Sequence, residues 1–359
     1  MTDFLKEVQK GMKGLNQGLP NCFDRFNDYL CGTQKGTYYA IGGLPGTGKT
    51  ALADSNFVLA PFIALKKRNL PINVDWHYYS FEISKKAKRA KWTAYMLYYA
   101  YGIVTDSNEI LSRGKNRASQ ELYEKIVEVN GFMDELFSYI HFVDEPQTAG
   151  QIYFELLAHA EKNGKFQYET YEDGQGVKQT RKCGYVNNRV DNYNIVIVDH
   201  VGLIKKQKGM PSKKENIDLL SSEMIYFRNL CDYTPVMISQ FNRSLTAIER
   251  QKFKASDLAP TLEDFKDTGV IPEDANVALG TFNPGALDFK NYGGYDLKSL
   301  GDNFRAVNLM KNRDGGSDKA IGMQFIGEIG GYSELPPASM FDLGSEDYKN
   351  YVVSRKTTK

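Results

Sequence analysis

The segment Gly43-Leu44-Pro45-Gly46-Thr47-Gly48-Lys49-Thr50 has the spacing G-x-x-x-x-G-K-T, with Ala51 following it. Tyr38–Gly42 before it reads as a short apolar strand, and the run from Ala51 reads as a helix. These residue types at this spacing suit a nucleoside triphosphate. The glycines let successive backbone N–H groups turn toward the phosphates. Lys49 reaches the β- and γ-phosphates, the Thr50 hydroxyl sits on Mg²⁺, and the helix N-terminus adds its positive end. The bland alternative is a glycine-rich turn, and the flanking strand and helix argue against it.

Such a loop needs an acid to hold the metal. Asp199 ends the apolar run Ile195-Val196-Ile197-Val198, where it is either that acid or a simple strand-end cap. Hydrolysis also needs a carboxylate that orients or deprotonates water. His200 follows Asp199, so the base must lie elsewhere. Glu82, at the end of the next apolar strand His77–Phe81, is the best candidate, because catalytic groups of open α/β sheets gather at the carboxyl ends of strands. Gln240 ends a third apolar strand, Val236–Ser239, and reads as a γ-phosphate sensor or as a polar strand end.

The elements that must position these groups alternate. Apolar strands at 77–81, 139–143, 195–199, 236–240, 277–279 and 306–310 are separated by helical patterns at about 85–101, 105–160 and 214–231. This implies an α/β fold with a mostly parallel central sheet and helices on both faces. Residues 164–190 break the pattern, alternating on either side of a turn, and predict a β-hairpin insertion. A Gly/Tyr-containing stretch at 285–303 reads as a second insertion. Phe4, Leu5, Val8, Met12 and Leu15 recur at helical spacing, so residues 1–30 are expected to be a packing helix or an arm that docks on a neighbouring subunit. The main domain is expected over 31–345, with a tail at 346–359.

The 359 residues include 42% hydrophobic and 25% charged residues with a net charge of +1, a soluble globular profile without a global field for nucleic acid. The four cysteines have no C-x-x-C pairing and read as reduced thiols, and the four histidines are too dispersed to suggest a metal cluster. No apolar run reaches membrane-spanning length and no signal peptide is evident. The expected location is cytoplasmic, in a bacterium or a phage-infected cell, with no membrane partner.

Taken in order, Gly43–Thr50, Ser80-Phe81-Glu82-Ile83-Ser84, Val198-Asp199-His200-Val201-Gly202-Leu203-Ile204, Ser239-Gln240-Phe241-Asn242-Arg243-Ser244 and Lys311-Asn312-Arg313-Asp314-Gly315 form a series. It resembles the RecA-type motor domain of DnaB-like (superfamily 4) replicative DNA helicases, and its Asp-His pair is closer to the phage T7-type version. Leu262–Gly269 with Glu273-Asp274-Ala275 is similar to the family's "DLRDSG…QDAD" stretch, and the resemblance covers about residues 20–335. It implies a RecA-like P-loop NTPase fold, ATP with Mg²⁺ as cofactors, and a hexameric ring with ATP at each subunit interface. It also implies Glu82 as catalytic base, Gln240 as γ-phosphate sensor, and Lys311 and Arg313 acting in trans on a neighbour's site. Without it, the latter two would read as a solvated pair after a strand.

The basic stretch Lys205-Lys206-Gln207-Lys208 to Lys213-Lys214 follows the Asp199 strand, where the family places a loop lining the central channel. It is expected to be flexible and to track single-stranded DNA; a solvated lysine-rich loop is the alternative. Asn242, Arg243 and Lys252 are candidates for a second such loop. The run Lys85–Lys91 reads as a solvated helix start. A primase or another replisome protein is a further candidate partner. Two rival functions share these residues. One is a recombinase-like or regulatory DNA-dependent ATPase. The other is a nucleotide-switched helicase-loading or partner-binding ring, which could dispense with Glu82.

Overall fold

The computed structural model describes residues 3–115, 117–189, 191–210, 212–242, 259–266 and 269–340. Helices α1 (Asp3–Met12) and α2 (Asp24–Leu30) precede strand β1 (Tyr39–Gly43). Helix α3 (Lys49–Asp54) passes through a π turn, Ser55–Leu59, into α4 (Ala60–Lys67). Next come β2 (Val74–Ser80), α5 (Lys85–Tyr101), the short α6 (Ser107–Ile110), α7 (Gln120–Ser138), β3 (Ile140–Val143) and α8 (Ala149–Asn163). The hairpin β4 (Gly164–Glu172) and β5 (Lys178–Asn187) leads to β6 (Tyr193–Asp199), α9 (Lys213–Cys231) and β7 (Thr234–Gln240). Helix α10 (Val270–Asp274), β8 (Val277–Phe282), the two-residue strands β9 (Asn291–Tyr292) and β10 (Tyr295–Asp296), β11 (Phe304–Asn312), β12 (Lys319–Ile326) and β13 (Gly331–Glu334) complete the order.

The main sheet has nine strands in the order β13-β12-β11-β8-β1-β7-β6-β2-β3. From β8 to β3 all pairings are parallel, and β11, β12 and β13 add antiparallel to the β8 side. Two buried layers result from strand alternation. Tyr39, Ile41, Ile195, Ile197, Val236 and Ile238 face one, with α3, α4, α5 and α7; Ala40, Val196, Val198 and Met237 face the other, with α8 and α9. The expected mostly parallel sheet and hairpin are present. The β12 and β13 strands go beyond the sequence expectation, because short runs such as Gly331–Glu334 carry little pattern by themselves.

Three other expectations change. The 285–303 stretch is part of the main body: Tyr292, Tyr295 and Leu297 are buried, and the Tyr295 hydroxyl donates to the Pro336 carbonyl at 2.6 Å. Residues 1–30 split. Phe23 and Phe26 are buried in the main core, whereas α1 leaves Phe4 73% and Met12 83% exposed, so it is not a packed helix within this chain. The expected 346–359 tail lies outside the described residues. No helix among the described residues is long and apolar enough to cross a membrane.

The π turn has a local cause. Pro61 has no N–H to give the ladder, and one turn before it the Ala60 N–H reaches back to the Ser55 carbonyl. A β-bulge between Leu309 and Lys311 has the larger consequence. Before it, Val307 and Leu309 face the α3 side; after it, Lys311 pairs opposite Ala278, whose side chain faces the other layer. One inserted residue therefore re-aims the end of the strand.

Three of the four histidines, dispersed in sequence, meet beside β2. The buried His77 ring lies 4.3 Å from that of His159 and 5.9 Å from that of His141, and neither His77 nitrogen has a hydrogen-bond partner. Burial holds the His77 pKa well below the ordinary value, with the two neighbouring imidazoles adding to it; burial also lowers that of His159, against the pull of Asp75. The unfolded chain therefore takes up these protons first. The stabilisation is complete above the unfolded value near pH 6.5 and is lost as pH falls below it. His77 alone contributes a slope of about 1.4 kcal/mol per pH unit there. Glu223, pushed up to about 7 by burial, acts in the opposite sense over an overlapping window. Urea unfolding of Glu223→Gln should therefore show a steeper loss of stability between pH 6.5 and 5 than the wild type. Adding His77→Phe should flatten it.

Candidate functional site

The phosphate loop bridges the carboxyl end of β1 and the start of α3. Gly46 and Gly48 hold φ of 76° and 90°, a region costly for other residues. A Cβ on Gly48 would also stand 2.1 Å from the Tyr332 hydroxyl. That hydroxyl donates to the Thr47 carbonyl at 2.6 Å, so β13 supports the loop from the side. The Thr47 hydroxyl lies 2.7 Å from that of Thr281, on the neighbouring strand.

Thr50 Oγ1 donates to Asp199 Oδ1 at 3.0 Å, bringing together residues 149 positions apart. Asp199 is 1% exposed, and its Oδ2 has no hydrogen-bond partner. A hydroxyl beside a buried carboxylate with a spare oxygen fits Mg²⁺, which takes one or two protein ligands plus phosphate and water oxygens. Lys49 is buried with Nζ donating to the Leu44 carbonyl at 3.0 Å. Burial lowers its pKa, while Asp199 and Glu82 oppose the shift. A cleft of about 350 Å³ opens over these groups, lined by Gly46, Lys49, Thr50, Glu82 and Gln240 and walled by Trp92, Tyr95, Phe325 and Ile329. That is within the range of small-molecule sites. Of the other loop residues, Pro45, Gly48 and Ala51 also line it.

Glu82, Gln240 and Asp199 stand at the ends of β2, β7 and β6, so parallel strands deliver all three to one edge. His200 joins them. Its Nδ1 accepts the Gly202 N–H at 3.1 Å, so the neutral ring carries its proton on Nε2. Nε2 lies 3.7 Å from Glu82 Oε1 and 3.3 Å from the Gln240 side-chain amide. Burial lowers the His200 pKa against the pull of Glu82 and Asp199, favouring the neutral ring. Sequence reasoning treats His200 only as a non-acid. Its link between Glu82 and Gln240 needs strand order β7-β6-β2, which no local pattern encodes.

Lys311 and Arg313 lie at the other end of the sheet. Lys311 Nζ donates to the Pro272 and Glu273 carbonyls at 2.9 and 2.7 Å, and Arg313 Nη2 to the Glu273 carbonyl at 2.9 Å. These are carbonyls at the C-terminal end of α10, where cations are favoured. Register puts Asn312 opposite Val277, level with Tyr39, whereas the phosphate loop leaves β1 at Gly43. The length of β1 therefore separates the pair from the cleft in their own chain.

The basic loop after β6 is pinned. The Gln207 N–H donates to Asn216 Oδ1 at 2.6 Å, and Gln207 Oε1 accepts the Gly150 N–H at 3.0 Å. Lys205, Lys206, Lys208 and Lys214 are exposed and Lys213 is half-buried. Arg243 and Lys252 lie outside the described residues. The run at the start of α5 is only partly solvated: Lys85, Lys86 and Lys91 are exposed, but Lys88 is 0% exposed. Helical spacing was the available signal, since Lys88 stands four residues before the buried Trp92.

Comparison with known proteins agrees with this geometry. The family model described as "DnaB-like helicase C terminal domain" matches residues 173–334, beginning downstream of the phosphate loop. A solved structure described as an isolated ATPase domain superposes with a TM-score of 0.63 at 20% identity, over 93% of this chain and 98% of that one. A structure described as that of a DnaB-like replicative helicase and its interactions with primase gives a TM-score of 0.64 at 18% identity, over 94% of this chain and 68% of that one. No curated protein sequence matches this chain. The chain carries a RecA-type ATPase domain of the DnaB-like helicase family, ATP-hydrolysing enzymes of DNA replication.

Proposed function

We propose that this domain hydrolyses ATP at interfaces between copies of the chain and uses the cycle to move along single-stranded DNA. The observation that carries the proposal is the split of one catalytic set across the sheet. Loop, Thr50, Asp199, Glu82 and Gln240 gather at one edge of the parallel strands, while Lys311 and Arg313 stand at the opposite edge. Lys49 and the loop amides hold the phosphates, and Thr50 and Asp199 hold Mg²⁺, which neutralises phosphate charge. Glu82 orients and deprotonates the attacking water, with His200 between it and Gln240 at the γ-phosphate. Arg313 and Lys311 complete the neighbour's site, where charge spreads in the transition state. The exposed apolar face of α1, with Phe4, Leu5, Val8 and Met12, fits the arm that docks on a neighbouring copy. A primase, the partner in the description of the second solved structure, is a proposed further partner.

The test is ATP turnover with and without single-stranded DNA, on a sample of known oligomeric mass, followed by strand displacement on a forked substrate. Assembly, DNA stimulation and displacement support the reading. Negligible turnover with tight nucleotide binding would instead make this a nucleotide-switched ring, and turnover without displacement a regulatory ATPase.

The lysine loop carries its own prediction. Replacing Lys205, Lys206 and Lys208 together by alanine should lower the slope of log affinity for single-stranded DNA against log salt by about 2, at about 0.7 per lost phosphate contact. Nucleotide affinity should be unchanged. An unaltered salt slope, read by fluorescence anisotropy of a labelled oligonucleotide, would remove this loop from the DNA path.

A further inference from the structure

Lys88 is a lysine whose burial nothing above explains. It sits in the first turns of α5, where the helix dipole disfavours a cation, and it is 0% exposed. A buried ammonium persists only when paired and hydrogen-bonded. Lys88 Nζ donates to the Tyr78 hydroxyl at 2.8 Å and to Asp54 Oδ2 at 3.2 Å. The Tyr78 hydroxyl in turn donates to Asp54 Oδ1 at 2.6 Å, closing a triangle. The same ammonium lies 3.5 Å from Asp199 Oδ2, the oxygen without a hydrogen-bond partner. Two buried carboxylates thus share one cation, and one of them is the acid assigned to Mg²⁺.

We propose that Lys88 is a positioning residue of the metal site: a resident counter-cation, anchored by Asp54 and Tyr78, that holds Asp199 and sets how strongly nucleotide binding depends on Mg²⁺. The proposal rests on the reading of Thr50 and Asp199 as the metal site. Its physical basis is competition. An ammonium beside Asp199 offsets part of the repulsion between that carboxylate and a nucleotide's phosphates when no metal is bound. It also weakens the attraction of the same carboxylate for Mg²⁺. Asp54 and Tyr78 limit both effects by drawing the ammonium away from Asp199.

Substitutions on the two sides of this balance should act in opposite directions. Asp54→Asn removes the competing carboxylate and leaves Lys88 to Asp199 alone. The Mg²⁺ concentration at half-maximal binding of a fluorescent ADP should rise, by about tenfold, a size usual for residues that orient metal ligands. Lys88→Met combined with Asp54→Asn removes the ammonium without stranding a buried charge. Its Mg²⁺ midpoint should fall below that of the wild type, and the ratio of ADP affinities with and without Mg²⁺ should grow. Tyr78→Phe keeps the ring and removes one anchor, so it should shift the midpoint in the Asp54→Asn direction by less. It also serves where Asp54→Asn does not fold. Opposite shifts support the inference. Midpoints that stay at the wild-type value while thermal stability changes would make the triangle a purely structural ion pair and overturn it, as would shifts of the same sign. Wild-type ADP binding that ignores Mg²⁺ would overturn the metal-site reading itself, and this inference with it.

Discussion

Arg313→Ala is expected to lower DNA-stimulated ATP turnover by about 10³–10⁵, the range for losing a charge that completes a phosphoryl-transfer site, while leaving nucleotide affinity and assembly nearly unchanged. The expectation comes from position. Arg313 donates its backbone N–H to the Asn276 carbonyl, just before β8 begins, and its side chain reaches the Glu273 carbonyl. The phosphate loop starts where β1 ends, at Gly43, which pairs with Thr281 on β8. Four residues of strand span about 13 Å, more than an arginine side chain extends. Help in cis is therefore excluded by the sheet itself. The decisive measurement mixes two inactive proteins. Lys49→Ala subunits carry an intact arginine, and Arg313→Ala subunits an intact phosphate loop. Mixed assemblies should recover part of the wild-type rate, because some interfaces then contain both groups. Absence of recovery in verified mixed assemblies, or an Arg313→Ala enzyme at full rate, would assign Arg313 to capping α10.

Glu82→Gln is expected to reduce single-turnover hydrolysis by about 10²–10⁴, the usual contribution of a general base, with ATP affinity retained. Glutamine keeps the shape and removes the charge. The carboxylate ends β2, lines the cleft, and faces the neutral His200 ring at 3.7 Å. Hydrogen bonding from that ring orients it without consuming a proton. A Glu82→Gln enzyme turning over at the wild-type rate with DNA present would place the base elsewhere.

Much of this site is legible along the chain because its parts are local. Spacing alone puts Lys49 and Thr50 at a helix start after Gly48. Four β-branched residues announce Asp199 at a strand end, and apolar runs of the right length announce Glu82 and Gln240. Parallel pairing then carries strand ends to one edge, so naming the ends almost names the site. The hairpin at 164–187 is legible for the same reason, as alternation around Asp173-Gly174.

Other residues take their meaning from neighbours far away in sequence. Lys88 is one cation in a basic run until α5 turns it against Asp54, Tyr78 and Asp199, 34, 10 and 111 positions away. His77, His141 and His159 look scattered until β2, β3 and α8 stack their rings. Tyr332 supports the phosphate loop across 285 residues. The sequence by itself determined which residues hold phosphate and metal, because that chemistry is written in short backbone turns and strand ends. Only the tertiary structure decided that the arginine and lysine at 313 and 311 cannot serve their own loop, and that one lysine is buried against the metal acid. Both depend on sheet order, on the bulge after Leu309 and on the angle at which a helix packs, which are properties of long-range contacts that no short segment contains.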